Sequence, residues 1–588
     1  MAFIPRGTMS TSRKQWIIKP PWPDCQQAAK DWRVPEIVAQ VLFNRDVSSA
    51  DSARSFMDPH LQDLHPPEML HGAVEAAGHL AAAVRDGKRI VLYGDYDVDG
   101  VTGVAILWHA LKIADANVSF YVPHRIEEGY GLNKSAIQSL SDEGADLIVS
   151  IDCGIGSIEE CALARSLGTS LIVTDHHEMK SELPPATVLV HPGLGGSYPN
   201  RHLCGAGVAF KLAWAFAREM SGSEKVTPEY REFLKHALAL AAMGTIADVV
   251  PLVGENRIIS RCGLARLAES PWPGVRALLE VSGISEGDTI DGTSVGFQIG
   301  PRLNAAGRMG HARLAIELLT RADENRAREI AMYLDDHNRA RQTKQRRHVK
   351  EACEQVERLG MDGDTHRGIV LASDQWHPGI VGVVASRIVD QYRKPTVLIA
   401  LENGEGQGSA RSVPYFSMHE ALEACSQHLI SHGGHEMAAG LRIESDKVDA
   451  FTEAFMQHAN NTLSGASHLP KLRIDAEVPL SSLDDRTVMA IRNLGPFGEG
   501  HPKPIFATDW LELAQEPRCV GKNQDHLQVV LSGGNSVIKG IAFGAGELAE
   551  ELKEHRQCRV AFEPIINEFR GRRSVEMQIV DFKFPGDE

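Results

Sequence analysis

Four short segments carry acids and imidazoles at spacings that suit the holding of cations. The first is Gly94-Asp95-Tyr96-Asp97-Val98-Asp99-Gly100, directly after the apolar run 89–93. Three carboxylates at alternate positions point to one side of an extended segment, and like charges that close repel unless cations sit among them. Ser150-Ile151-Asp152-Cys153-Gly154 puts one acid at the end of another apolar run, where a metal ligand and a helix N-cap are both open readings. Thr174-Asp175-His176-His177-Glu178 sets adjacent histidines beside acids, which suits a site using imidazole and carboxylate together; a polar loop is the plainer alternative. In Gly244-Thr245-Ile246-Ala247-Asp248-Val249-Val250-Pro251 one Asp ends an Ala-rich apolar stretch. A buried acid there needs a cation or a hydrogen-bond partner.

All four segments stand at the ends of expected elements. Residues 89–93, 118–122, 146–151, 171–174 and 188–190 read as buried strands, and helical stretches such as 103–112, 161–167 and 208–220 follow or separate them. This rhythm predicts an α/β fold with a parallel, doubly wound sheet that works at the carboxyl ends of its strands. A long helix follows over about 321–359, with Arg339, Arg341, Lys344, Arg346, Arg347 and Lys350 and no acid between 339 and 350. Arg339, Arg346 and Lys350 share a face, either a solvated surface or a stripe toward phosphates. Strand 368–373, helix 381–391 and strand 395–401 predict a second α/β segment, followed by the Gly- and Ser-rich stretches 404–412 and 431–440. Residues 464–467 read as a linker. The end of the chain is β-rich, with strands expected at 528–531, 537–543, 559–562 and 575–584, and predicts a small barrel of the oligonucleotide-binding (OB) kind.

Composition bounds these readings. A length of 588 residues predicts three to four domains at roughly 150 residues each. With 53 Gly, 29 Pro and 43% hydrophobic residues, the chain is neither collagen-like nor low-complexity. No apolar run is long enough for a membrane span. Residues 1–10 lack an apolar signal core and read as a leader, with Met9 a second start. Nine scattered cysteines without a CxxC pair argue against disulfides and zinc ribbons and for a reducing cytoplasm. A net charge of −16 alone argues against nucleic acid. Carboxylates gathered on metal ions add to that count, however, and basic patches can persist locally.

The segments DYDVDG, SIDCG, DHH and GTIADVVPL resemble the four motifs of the DHH phosphoesterase superfamily. GPRLNAAGR (300–308), PHRIEEGYG (123–131), GSARS (408–412), GGHEMAAG (433–440) and LGPFG (494–498) resemble elements of its RecJ-type branch of single-strand-specific exonucleases. The resemblance covers nearly the whole chain beyond about residue 40. It departs at Glu499-Gly-His501, where that branch more often has Pro-Gly-Asn.

The resemblance implies a division into a leader and mixed segment (1–45), a DHH catalytic domain (46–320), a connecting helix (321–360), a DHHA1-like substrate-binding domain (361–463) and an OB-fold-like domain (468–588). It implies two metal ions, with Mn²⁺ preferred over Mg²⁺. Asp97 and Asp99 would hold different ions and Asp152 would bridge them. His176 and Asp248 would complete one shell, with Asp95 on the other side. His177 would contact the scissile phosphate and Asp175 would orient a histidine. Ser409, Arg411, Gly433, Gly434 and His435, joined by Arg387, would recognise the strand and its 5′ end. Arg125, Arg302 and Arg308 would touch phosphates near the catalytic centre, each with an ordinary salt bridge as the open alternative, and Trp376 and Tyr130 are either base-stacking or core aromatics. The implied activity is 5′→3′ exonuclease degradation of single-stranded DNA to 5′-mononucleotides by two-metal-ion hydrolysis, in DNA recombination and repair. A passage between the two α/β domains, too narrow for a duplex, would select single strands. The implied setting is a monomer in the bacterial cytoplasm at the nucleoid, with single-strand-binding protein and a RecQ-type helicase as partners. Two alternatives remain: a DHH phosphodiesterase acting on short oligonucleotides or cyclic dinucleotides, and a catalytically inactive Cdc45-like replication scaffold. The first would be shorter and lack the barrel and long helix; the second should have lost acids that are present here.

Overall fold

Five short runs rich in Ile, Val and Leu form the first sheet: β1 (Ile90–Gly94), β2 (Val118–Tyr121), β3 (Leu147–Ile151), β4 (Ser170–Thr174) and β5 (Val188–Val190). In the computed structural model, which describes residues 14–124, 128–129, 131–308, 311–363, 365–464, 470–569 and 571–587 without the side chains of Arg308 and Phe569, these strands are all parallel, in the order β2-β1-β3-β4-β5. Alternate side chains enter different cores. Ile90 and Leu92 join one cluster and Val91 and Tyr93 another, and Val149 and Ile148 divide in the same way. A sheet covered on both faces demands such unbroken apolar runs, and the doubly wound fold is present. Strand order reverses between β1 and β3, which opens a crevice at their carboxyl ends.

The helices α1 (Val98–Ile113), α2 (Gly205–Ser221) and α3 (Pro228–Ala247) supply much of the larger core. The shorter α4 (Gly254–Leu267) packs along α3. The long helix α5 runs from Glu324 to Arg358. By contacts the chain forms two compact units: Asn338–Leu472 with Phe543–Gly546 belong to one, and Trp16–His337, Arg473–Ala542 and Glu547–Glu588 to the other.

In the first of these units lie β6 (Ile369–Ser373), α6 (Pro378–Tyr392), β7 (Thr396–Glu402), β8 (Glu405–Arg411), β9 (Ser431–Gly434) and β10 (Ala438–Glu444). Their sheet has the order β9-β10-β8-β7-β6, with only β6 and β7 parallel. The two Gly-rich stretches are therefore a strand and a hairpin. Small residues are needed in β8: a Cβ on Gly406 would lie 2.6 Å from Ile399 Cγ2, and one on Gly408 2.7 Å from Leu441 Cδ1.

The β-rich end contributes β11 (Ala476–Glu477), β12 (Phe506–Ala507), β13 (Leu511–Val520), β14 (His526–Gly533), β15 (Ser536–Ala542), β16 (Gln557–Phe569) and β17 (Arg572–Lys583). Pairing runs β16-β13-β14-β15-β17, and β17 returns to β16, closing five strands into the expected barrel. β13 is a strand that periodicity did not reveal: only Leu511 and Pro517 are buried, and its pairing with β14 shifts register twice. Among the described residues no helix is long and apolar enough to cross a membrane, and all nine cysteines are free. Most of the proposed linker, residues 465–467, lies outside the described residues.

Candidate metal centre

β1 ends at Gly94 and α1 begins at Val98, so the DYDVDG acids straddle a strand-to-helix turn. The extended segment with three alternating carboxylates is corrected here. Asp97 is the N-cap of α1, its Oδ1 accepting the N–H groups of Asp99 (2.9 Å) and Gly100 (3.1 Å). Asp99 lies inside the first turn, and its two oxygens accept the first amides of α2, from Gly205 (2.6 Å) and Ala206 (2.8 Å). Orphan donors and the dipole at a helix N-terminus favour an anion. Glycine makes the approach possible: a Cβ on Gly244 would lie 2.4 Å from Asp99 Oδ1, and one on Gly205 2.6 Å from Asp152 Oδ1. Gly205 escaped the sequence reading, which began this helix at residue 208. The signal was present in Cys204-Gly-Ala-Gly, small residues opening an apolar helix.

Asp152 follows β3 directly, 2% exposed, with φ +65°, a backbone region that residues bearing a Cβ rarely adopt. It caps no helix, since the next one, Ile158–Ser166, has Ser157 at its N-cap. His176 follows β4 and turns Nε2 toward Asp152 Oδ1 (3.1 Å), Asp248 Oδ2 (3.6 Å) and Asp99 Oδ2 (3.8 Å). Asp248 is the C-cap of α3, where the helix dipole disfavours a bare carboxylate. Asp175 accepts from His177 Nδ1 (2.7 Å) and from the N–H groups of His176 (2.7 Å) and Ile155 (2.9 Å).

The electrostatics follow from this crowding. Burial, then the charges of Asp99, Asp97, Asp95 and Asp248, push Asp152 well above the usual carboxylate range. Burial and Asp99 raise Asp97, and burial with Asp99 and Asp97 lifts Asp248 to about 8. Burial lowers His176 and so keeps its imidazole neutral. At His177 burial acts downward, but the hydrogen bond and charge of Asp175 outweigh it and bring the ring to about 8. For Asp175 burial is likewise outweighed, here by His177, and its carboxyl lies below the ordinary value.

Three groups bring ligand atoms within 4.8 Å of one another: Asp95, Asp97 and Asp152; Asp99, His176 and Asp248; and Asp152, His176 and His177. Asp152 is common to an all-carboxylate group and an imidazole-bearing one. The residues fit divalent cations, whose charge would offset the repulsion that holds protons on these acids. His176 gives the most direct sign: its buried Nε2 makes no hydrogen bond although three carboxylates surround it. Mixed carboxylate and imidazole donors suit Mn²⁺.

The expected phosphate contacts fall into three sets. Ser409, on β8, pairs with Gly440 of β10, which pairs in turn with Gly433 of β9, so two separate motifs meet in one row. Arg411 Nη1 donates to Ser409 Oγ (3.1 Å) and Ala410 O (2.8 Å), and both side chains adjoin Gly382 of α6. Gly434 has φ +141°, and the exposed His435 closes the hairpin through its N–H to Ala438 O (2.8 Å). Arg387 stands half-exposed on α6, 3.9 Å from Asp390. In the second set, Arg302 is engaged by Asp335 (2.8 Å) and by the carbonyls of Gln298 and Val281, which is the salt-bridge alternative. Arg125, Tyr130 and the side chain of Arg308 form the third set and lie outside the described residues. Trp376 is a core aromatic, 5% exposed, donating to Glu351 Oε2 (3.2 Å). On α5, Arg347 and Lys350 pair with Glu351 and Glu354 one turn on, as a solvated face does.

Comparison with known proteins follows the same division. Residues 89–245 match the DHH family, N-terminal domain, residues 366–461 the DHHA1 domain, and residues 474–581 the RecJ OB domain. The chain is 35% identical to the single-stranded-DNA-specific exonuclease RecJ of Bacillus subtilis, over 97% of this chain and 71% of that one. It is 35% identical to the Haemophilus influenzae enzyme of the same name (90% and 94%) and 33% identical to that of Escherichia coli (94% and 96%). The crystal structure of Thermus thermophilus RecJ in complex with Mn²⁺ matches with a TM-score of 0.83 at 32% identity, over 97% of this chain and 80% of that one. Its complex with Mg²⁺ matches with a TM-score of 0.77 at 31% identity, over 97% and 78%. Identity of 35% to curated enzymes over 90–97% of this chain, with matching DHH, DHHA1 and RecJ OB domains, shows that the chain belongs to the RecJ family of single-stranded-DNA-specific exonucleases.

Proposed function

We propose that this protein is a 5′→3′ exonuclease that degrades single-stranded DNA to 5′-mononucleotides. The observation that carries the reading is the pair of ligand groups meeting at Asp152 in the crevice between β1 and β3. Two Mn²⁺ or Mg²⁺ ions held there would activate a water and stabilise the leaving 3′-oxygen.

The chain's own residues do the rest. Asp152 would be shared between the two ions, with Asp95 and Asp97 holding one and Asp99, His176 and Asp248 the other. The amides of Gly205 and Ala206 fix the plane of the Asp99 carboxylate. Asp175 holds His177 by Nδ1, so Nε2 is the atom offered to the scissile phosphate. Ser409, Arg411, Gly433, Gly434 and His435, with Arg387, bind the strand through hydroxyl, guanidinium and backbone donors. Arg125 and Arg308 serve as phosphate contacts, and Arg302 braces the N-terminal third of α5 through Asp335. The barrel adds a surface that tracks a single strand. We infer further that it acts in recombination and repair at the nucleoid, in the cytoplasm, as a monomer with single-strand-binding protein and a RecQ-type helicase as partners.

The test uses single-stranded DNA labelled internally and at either end, with Mn²⁺, comparing wild type and Asp97→Ala. Mononucleotides released first from the 5′ end, absent in the variant and absent on blunt duplex, are expected. Intact long strands with hydrolysis of di- to tetranucleotides would instead identify a short-oligonucleotide phosphodiesterase. Tight strand binding with no hydrolysis of either substrate would identify a scaffold.

A further inference from the structure

The loop between β8 and the helix Met418–Ala424 holds a residue that neither burial nor backbone preference explains. Tyr415 has φ +72°, which bulky side chains rarely adopt and glycine takes freely. The residue is 69% exposed, so burial in a core does not account for its backbone. Strain of this kind persists where the surroundings over-determine it, and it gathers at ligand clamps. The surroundings here do so. Ser412 N–H donates to Met437 O (2.9 Å) and Met418 N–H to Glu436 O (2.8 Å), tying both ends of the loop to the β9–β10 hairpin. Phe416, the next residue, is buried at 2% exposure, and its carbonyl accepts from Ser412 Oγ (2.5 Å). The ring is therefore displayed on a firm support.

What surrounds it suits a nucleotide. Ser409 and Arg411 lie just before the loop, and Gly433 and Gly440 of the hairpin beside it leave backbone open to approach. Lys471 Nζ lies 5.7 Å from the Tyr415 ring centroid. An exposed aromatic face beside a cation offers both parts of single-strand recognition, stacking for the base and charge for its phosphate. We propose that Tyr415 is a stacking platform for one base of the single-stranded substrate, with Lys471 drawing the adjoining phosphate. The inference deepens the exonuclease reading and rests on it. It also adds to strand selection, because a duplex keeps the faces of its internal bases stacked on one another and an unpaired strand frees them.

The test measures equilibrium binding in EDTA, where no strand is cut, of a short fluorescent oligodeoxynucleotide and of an abasic strand of equal length. Wild type is compared with Tyr415→Gly and Tyr415→Phe, and thermal stability is read in parallel. Expected are a loss of about 10-fold or more in Tyr415→Gly for the base-bearing strand only, wild-type affinity in Tyr415→Phe, and a higher Tm in Tyr415→Gly from the relieved backbone. Wild-type affinity for the base-bearing strand in Tyr415→Gly overturns the proposal, as does an equal loss on the abasic strand. Digestion of single strands by the wild type in Mn²⁺, run alongside, tests the exonuclease reading separately, so failure of stacking and failure of the activity are told apart.

Discussion

At Gly205 a missing methyl group governs the spacing of two acids. Its amide holds Asp99, while a Cβ there would lie 2.6 Å from Asp152 Oδ1. Gly205→Ala should displace the carboxylate shared by both ligand groups, and a misplacement near 1 Å costs about 100-fold in rate. We expect Mn²⁺-dependent hydrolysis to fall by about that factor while circular dichroism stays native. Asp248 leads to a pH effect. Its carboxyl is raised to about 8, with Asp97 and Asp152 also raised, so at neutral pH the metal-free protein carries protons that its unfolded chain has released. The folded state therefore loses stability as pH rises from the unfolded carboxylate value, near 4, through 8. Thermal melts in EDTA should fall across this window, saturating Mn²⁺ should remove the trend, and calorimetry at pH 7 should record proton release on Mn²⁺ uptake. A flat melt profile in EDTA would contradict this account. The acids were legible in the sequence because carboxylates between glycines at strand ends have few other uses. Gly205 was not, because its contribution is the absence of an atom in a contact between distant segments.

Asp97 is both the N-cap of α1 and a member of the acid cluster, and this dual use explains why the start of the helix was misplaced. Its side chain closes the first turn at 98, five residues before apolar periodicity becomes visible. Asn caps a helix as well as Asp does, whereas Ala loses about 1 kcal/mol. Asp97→Asn should therefore melt no lower than wild type in EDTA yet fail to cut single strands, and Asp97→Ala should lose both stability and activity. An Asp97→Asn protein that retains full turnover would remove Asp97 from the metal centre. β13 was hidden for a different reason. Leu511 and Pro517 are its inward residues, and the two register shifts break the period of two on which a strand is recognised. The Gly-rich stretch 431–440 did not read as a hairpin because glycines at 433, 434 and 440 suppress the same alternation, although β9 pairs regularly with β10 and β10 with β8.

The whole chain is less linear than its sequence suggests. The unit carrying the metal centre is built from Trp16–His337 and from the β-rich end, with Asn338–Leu472 inserted between them. Buried side chains join the two parts. Arg257 of α4 donates to Phe56 O (2.9 Å) and Leu494 O (2.8 Å), with its guanidinium 3.9 Å from the Phe56 ring centroid. Arg45 pairs with Asp475 (2.6 Å) and donates to Nδ1 of the fully buried His501 (3.0 Å). That contact makes His501 a neutral ring whose Nε2 donates to Leu494 O (2.9 Å), so the departure from the family pattern at this position is accommodated by a specific set of partners. Arg257→Ala leaves buried carbonyls without donors and should cost about 3 kcal/mol, read as a lower urea midpoint than that of the wild type. Sequence rhythm orders such segments but cannot show which of them return to one another.

This return has a consequence in time. Arg257 and Leu494 are 237 residues apart. At about 5–20 residues per second, a ribosome that has released Arg257 works for roughly 10–50 s more before its carbonyl partner exists. During that interval the strands and helices bearing the acids of the metal centre are already made, but the unit to which they belong is incomplete. A nascent chain therefore carries its acids on a unit left open until the β-rich end has been made.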